Sequence, residues 1–187
     1  MNIHIIRHGK TFANQQKLYC GKTDLPLSES GIADILKLKK LGIYPKNIDL
    51  YFTSPYVRAC QTLEHIYGAV HKEVVPNLAE YNFGSFEMKN YEELKENTDY
   101  QAWITDETEQ IPCPGGESKQ EFTQRVLESY DFIINKSSHV ESILLVSHGG
   151  VITCVMEHLF PNTRNFYEWQ PEPGRGYTIN KNKYIKI

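Results

Sequence analysis

Two histidines in this 187-residue chain stand at similar places: each closes a short apolar run and is followed at once by glycine. His8 follows the run Asn2 to Ile6 and Arg7; His148 follows Ser142 to Val146 and Ser147. A third run, Asp49 to Thr53, leads through Ser54-Pro55 to Arg58. Two arginines present forked donors that match phosphate oxygens. They also disfavour protonation of a neighbouring imidazole and so keep it neutral and nucleophilic. A neutral imidazole can attack phosphorus in line and form a covalent phospho-enzyme, while the arginines and the second imidazole stabilise the equatorial oxygens. The leaving alkoxide then needs a proton. A carboxylic acid on a loop can supply it, and the stretch Leu78 to Met88 offers Glu80 and Glu87.

Such a cluster needs elements that bring it together. The runs 2–6, 49–53 and 142–146 read as buried strands, with further short strands at 73–75, 177–180 and 183–187. Helices are expected over 30–41, over 54–67 with Ser54 as N-cap and Pro55 at the first helical position, over 117–135 and over 150–159. Strands alternating with helices give an α/β fold, a three-layer α/β/α sandwich with a mostly parallel central sheet. Ligands of such sheets bind beyond the C-terminal strand ends, where all three polar groups fall. Residues 10–30 read as polar turns. Residues 77–116 are irregular, and so long an insertion in a single domain spanning 1–187 is expected to be functional, for instance a lid. Glu117 and Ser118 would border it, and the tail around Gly174-Arg175-Gly176 and Phe166 to Pro173 would pack on the domain or rim the pocket.

Composition narrows the class. Net charge is −3 and 40% of residues are hydrophobic, which disfavours a nucleic-acid binder and suits a globular protein. No apolar stretch is long enough for a membrane span or a signal peptide, so a cytoplasmic location is expected. Cys20, Cys60, Cys113 and Cys154 form no Cys-x-x-Cys pair and read as free thiols. A cysteine-dependent phosphatase would need arginine six residues after a cysteine, where this chain has Pro26, Ile66, Lys119 and Phe160. No Asp-x-Asp motif is present for an aspartate nucleophile, and Pro114 to Ser118 lacks the Lys-Ser/Thr ending of a nucleotide loop. A metal site built from His4, His8 and His148 has no helical partner at ligand spacing, so no metal and no cofactor are expected.

The order of these segments resembles the histidine phosphatase, or phosphoglycerate mutase-like, superfamily. The matching stretches are Arg7-His8-Gly9-Lys10-Thr11 through Asn14, Leu18 to Gly31, Thr53 to Thr62, Glu80 to Glu87, Pro114 to Ser118, and Ser147 to Gly150. The resemblance implies that His8 is the phosphorylated nucleophile and that Arg7, Arg58 and His148 form the phosphate pocket. It makes Glu80 the general acid, with Glu87 the next candidate, and places Thr11, Asn14, Gly21 and Gly149 as substrate contacts. The expected partner is a small-molecule phosphate ester, bound by a monomer or homodimer. Two departures stand out: Lys10 where the family often has Glu, and Phe86-Glu87-Met88 where it often has Trp-Glu-Gly, a change expected to reshape the substrate side. The short chain favours a phosphatase over a mutase. The segment from Gly21 to Leu27 is similar to phosphatases acting on α-ribazole 5′-phosphate. Mutase, broad sugar phosphatase and non-catalytic phospho-ligand binding are the alternatives.

Overall fold

The computed structural model describes residues 1–187. Its frame is a six-stranded sheet ordered β3-β2-β4-β1-β5-β6. Strands β1 (Asn2–Arg7), β2 (Leu50–Thr53), β3 (Glu73–Val74) and β4 (Ser142–Ser147) run parallel. Strands β5 (Gly176–Asn180) and β6 (Lys183–Lys186) add an antiparallel hairpin at the β1 edge, as the sequence predicts. The central strands are apolar on successive residues because both faces are covered. In β4, Ile143 and Leu145 point into one core while Leu144 and Val146 point into another; in β1, Ile5 and Ile6 divide the same way.

One layer is made by α2 (Glu29–Lys40) and α3 (Val57–Tyr67), which contribute Ile35, Ala59, Leu63 and Ile66 to the smaller core. The other is made by α6 (Lys119–Lys136) and α7 (Gly149–Leu159), with Phe122, Val126, Ile133, Val151 and Val155 in the larger core. Helix α6 begins two residues later than the sequence suggests. Ser118 is its N-cap and forms a capping box with Glu121, which leaves the Glu117 side chain free for another task. Short helices also form outside the expected long ones: α1 (Phe12–Gln16) in the stretch that reads as turns, α4 (Tyr91–Leu94) and α5 (Thr98–Ile104) in the irregular segment, and α8 (Phe166–Trp169) in the tail. Each is four to seven residues long and gains its start from a Thr or Asn cap. Apolar periodicity over so few residues gives little signal.

The segment 77–116 is not a loose excursion. Leu78, Tyr81, Phe86, Leu94, Tyr100, Trp103 and Cys113 are buried in the same core as the sheet. All four cysteines are unpaired. No helix is long and apolar enough to cross a membrane.

Candidate active site

Strands β2, β4 and β1 are neighbours, so their C-terminal ends bring together Arg58, His148 and the Arg7-His8 pair. The imidazole centroids of His8 and His148 lie 5.1 Å apart, edge to face. His8, His148 and Arg58 are all at most 5% exposed. The four residues that the sequence places in a phosphate pocket therefore share one buried site.

Each imidazole is oriented by a specific partner. The His8 Nδ1–H donates to the Gly9 carbonyl at 2.7 Å, because a carbonyl can only accept. That tautomer leaves the lone pair on Nε2, which has no protein partner. The backbone around it is pinned as well: Gly9 N–H donates to Thr62 Oγ1, and Gly174 N–H donates to the carbonyls of Arg7 and His8. His148 Nε2 lies 2.6 Å from Ser54 Oγ. This contact corrects the expected role of Ser54. Its hydroxyl is engaged by His148 and by the Tyr56 N–H instead of capping a helix, so α3 starts only at Val57, with Tyr56 as N-cap and no side-chain cap bond. The other ring nitrogen of His148, Nδ1, is a buried atom that has no partner in the protein.

Electrostatics hold both rings neutral. Burial pushes the His8 pKa well below its ordinary value near 6.5, and the charges of Arg58 and Arg7 push it further. His148 is lowered for the same reasons, burial first and then Arg58. The arginines themselves are short of counter-charge. Arg58 donates to the carbonyls of Thr23 and Gly21, and its nearest carboxylate is Asp24 at 3.8 Å. Arg7 donates to the Pro171 carbonyl and makes no ion pair. The Nε atoms of both guanidiniums are buried without a partner. Five buried side-chain polar atoms lack partners in the whole chain, and three of them belong to Arg7, Arg58 and His148. Uncompensated cations and orphaned donors at one point are costly unless an anion completes them.

Glu80 reaches the site from the loop after β3. Its carboxylate accepts the N–H of Gly150 at 3.0 Å, in the first turn of α7 and two residues beyond His148. It also accepts the Tyr81 N–H. A Cβ at position 150 would meet the Glu80 carboxylate and the Phe122 ring, so a larger residue there would displace the Glu80 side chain. Glu80 and Glu172 are close enough to offset part of the effect that burial has on Arg7.

The remaining candidates sit differently. Glu87 accepts N–H bonds from Gly21, Lys22, Thr23 and Phe83, so it fastens two loops together rather than offering a proton. Gly21 lies where a Cβ would collide with the Tyr81 carbonyl, and its own carbonyl accepts a bond from Arg58. Thr11 and Asn14 form the capping box of α1 with one another. Gly149 opens α7 against the side chain of Gln170. Met88 adopts φ 59°, a left-handed conformation that favours glycine, which accounts physically for the glycine often found there. Lys10 pairs with Asp34 at the surface. His4 bonds Thr178 Oγ1 across β1 and β5, and no group of three or more His, Cys, Asp or Glu side chains is placed to hold a metal ion. The bonds made by Thr62, Ser54 and Arg125 have no local pattern in the sequence, since each reaches a residue far away in the chain.

Comparison with known proteins agrees with this geometry. Residues 3–174 match the histidine phosphatase superfamily, branch 1, and the chain belongs to that family of phosphatase and mutase enzymes. It is 33% identical over 163 residues to the adenosylcobalamin/alpha-ribazole phosphatase of Escherichia coli K12, a match covering 85% of this chain and 79% of the relative. A 2,3-bisphosphoglycerate-dependent phosphoglycerate mutase of Cytophaga hutchinsonii is 31% identical, over 83% of this chain and 75% of the relative. The crystal structure of the alpha-ribazole phosphatase from Shigella flexneri superposes with a TM-score of 0.84 at 29% identity, covering all of this chain and 95% of the other.

Proposed function

We propose that the protein hydrolyses a small-molecule phosphomonoester through a phosphohistidine at His8, and that α-ribazole 5′-phosphate is its substrate. The observation that carries the catalytic reading is the His8 tautomer. Nδ1–H is tied to the Gly9 carbonyl, and Nε2 is left as a neutral nucleophile beside two undercompensated arginines whose Nε atoms are buried without a partner. Nε2 attacks phosphorus, the bond to the ester oxygen breaks, and Glu80 delivers the proton that turns the departing alkoxide into an alcohol. Arg7, Arg58 and His148 stabilise the charge on the three non-bridging oxygens. Glu80, now a carboxylate, takes a proton from water. That water attacks phosphorus, breaks the N–P bond and restores His8 with release of inorganic phosphate.

The substrate assignment rests on the relatives named as alpha-ribazole phosphatases. It is tested by phosphate release in the presence of EDTA from α-ribazole 5′-phosphate, 3-phosphoglycerate and an aryl phosphate, with His8→Ala as blank. Turnover fastest on α-ribazole 5′-phosphate and abolished in the variant is expected. Preference for 3-phosphoglycerate would overturn the substrate, and turnover that survives His8→Ala would overturn the mechanism.

A further inference from the structure

Arg125 lies on α6 and touches none of the four residues of the phosphate pocket, yet it is used completely. A guanidinium has five N–H donors. Nε donates to Glu117 Oε2 at 2.8 Å, and one N–H of the Nη2 group donates to Glu117 Oε1 at 2.7 Å. The Nη1 group donates to the carbonyls of Asn77 and Ala79, both at 2.8 Å, and Nη2 to the carbonyl of Glu80 at 3.1 Å. Three of the five bonds thus end on the main chain immediately before and at Glu80. The carboxylate of Glu117 completes the grip from the other side, accepting the Asn82 N–H at 2.7 Å, and its main-chain carbonyl accepts the Tyr81 hydroxyl at 2.8 Å. The loop is fixed at its near end by Ser147 Oγ, which donates to the Leu78 carbonyl. Every residue from 77 to 82 is therefore held through a main-chain or side-chain bond, and the ion pair at the centre is only 21% and 14% exposed.

We infer that Arg125 and Glu117 are positioning residues for proton transfer: their pair sets where the Glu80 carboxyl stands relative to the leaving oxygen. The inference rests on the reading of Glu80 as general acid. A half-buried bidentate pair is a costly way to hold a surface loop. It is a reasonable way to hold one carboxyl within the few tenths of an ångström that proton donation demands, since a misplacement of about 1 Å can cost about a hundredfold in rate. Lysine cannot substitute. It has three donors on a single nitrogen, whereas the five here diverge to five acceptors around a plane.

The test separates positioning from mere stability by the leaving group. An aryl phosphate departs without a proton; an alkyl phosphate does not. For a series of phosphomonoesters with leaving groups of rising pKa, kcat/KM, which covers the steps up to departure of the alcohol and leaves out the shared hydrolysis of the phosphohistidine, is measured for wild type, Glu80→Gln, Arg125→Lys and Glu117→Gln, with melting temperature followed in parallel. Arg125→Lys is expected to slow alkyl phosphates about 10- to 100-fold and aryl phosphates less than about threefold, which steepens the dependence on leaving-group pKa in the direction of Glu80→Gln. Glu117→Gln keeps the shape of its side chain and should show the same trend in smaller measure; it decides the matter if Arg125→Lys fails to fold. Equal slowing of all substrates by both clamp variants, with Glu80→Gln still selective, would overturn the positioning role alone. Equal slowing by Glu80→Gln itself would overturn the assignment of Glu80 and the inference with it.

Discussion

The two ends of the candidate site are built in different ways. At the phosphate end, Arg7, His8 and His148 stand at the ends of hydrogen-bonded parallel strands, and Arg58 follows a third strand by five residues. Main-chain ladders fix the backbone from which these side chains project. At the proton-donor end there is no ladder. The loop bearing Glu80 is held by half-buried charged side chains that bond to backbone: Arg125 to carbonyls, Glu117 and Glu87 to N–H groups. The first strategy gives rigidity from regular structure. The second gives a loop the same rigidity from a few long-range ionic contacts, and concentrates the risk of failure in those residues.

That contrast can be broken at either end. The largest effect is expected from Arg58→Met. It removes one fork of the phosphate pocket and should lower kcat/KM by about 10² to 10³, similarly for alkyl and aryl phosphates, because phosphate recognition is common to both. Inorganic phosphate at about 100 times its Kd should stabilise the wild type by about 2.7 kcal/mol, seen as a rise in melting temperature, and the rise should vanish in this variant. A rise that persists would move phosphate recognition elsewhere.

Glu87→Gln is the intermediate case. It weakens the junction that holds Gly21 and Thr23, whose carbonyls in turn orient Arg58. Stability should fall by about 1–3 kcal/mol, the cost of leaving buried N–H groups poorly paired. Rates should fall about tenfold on alkyl and aryl phosphates alike. A selective loss on alkyl phosphates would return Glu87 to consideration as a proton donor.

The smallest effect belongs to pH. His8 and His148 have folded pKa values depressed below about 6.5. Between the folded and unfolded values the unfolded chain binds more protons, so stability rises with pH across that window. The contribution is complete above about pH 6.5 and is lost as pH falls below it, by at most about 1.4 kcal/mol per pH unit for each ring. Melting temperatures recorded from pH 7.5 down to 5 should drop less steeply for His148→Gln than for wild type; parallel curves would show that His148 is not held neutral.

The same contrast explains what could be read from the chain. The phosphate end was legible because strand runs and the glycines after them mark positions locally: β1, β2, β4 and the final hairpin fall where the alternation and turn residues put them. The loop residues offered Glu80 and Glu87 alike, and only the family resemblance put Glu80 first. Its supports could not be named, because Arg125 is 45 residues from the Glu80 carbonyl it holds and no local pattern encodes that bond. Ser54-Pro55 shows the opposite error. The local capping signal was sound by itself, but the contact between Ser54 and His148, 94 residues away, overrides it. The fastening role of Glu87 was hidden for the same reason, since its four N–H partners lie mainly in a loop more than 60 residues earlier.

The central claim is that a neutral His8 Nε2 becomes covalently bound to phosphorus. The direct measurement is rapid acid-free quenching during turnover of an aryl phosphate, followed by mass spectrometry of the intact and digested protein. One phosphoryl group per chain, located on His8, absent from His8→Ala and accumulating when Glu80→Gln slows the attack of water, is the predicted result. An unmodified His8 during steady turnover, or a phosphoryl group on another residue, would contradict it.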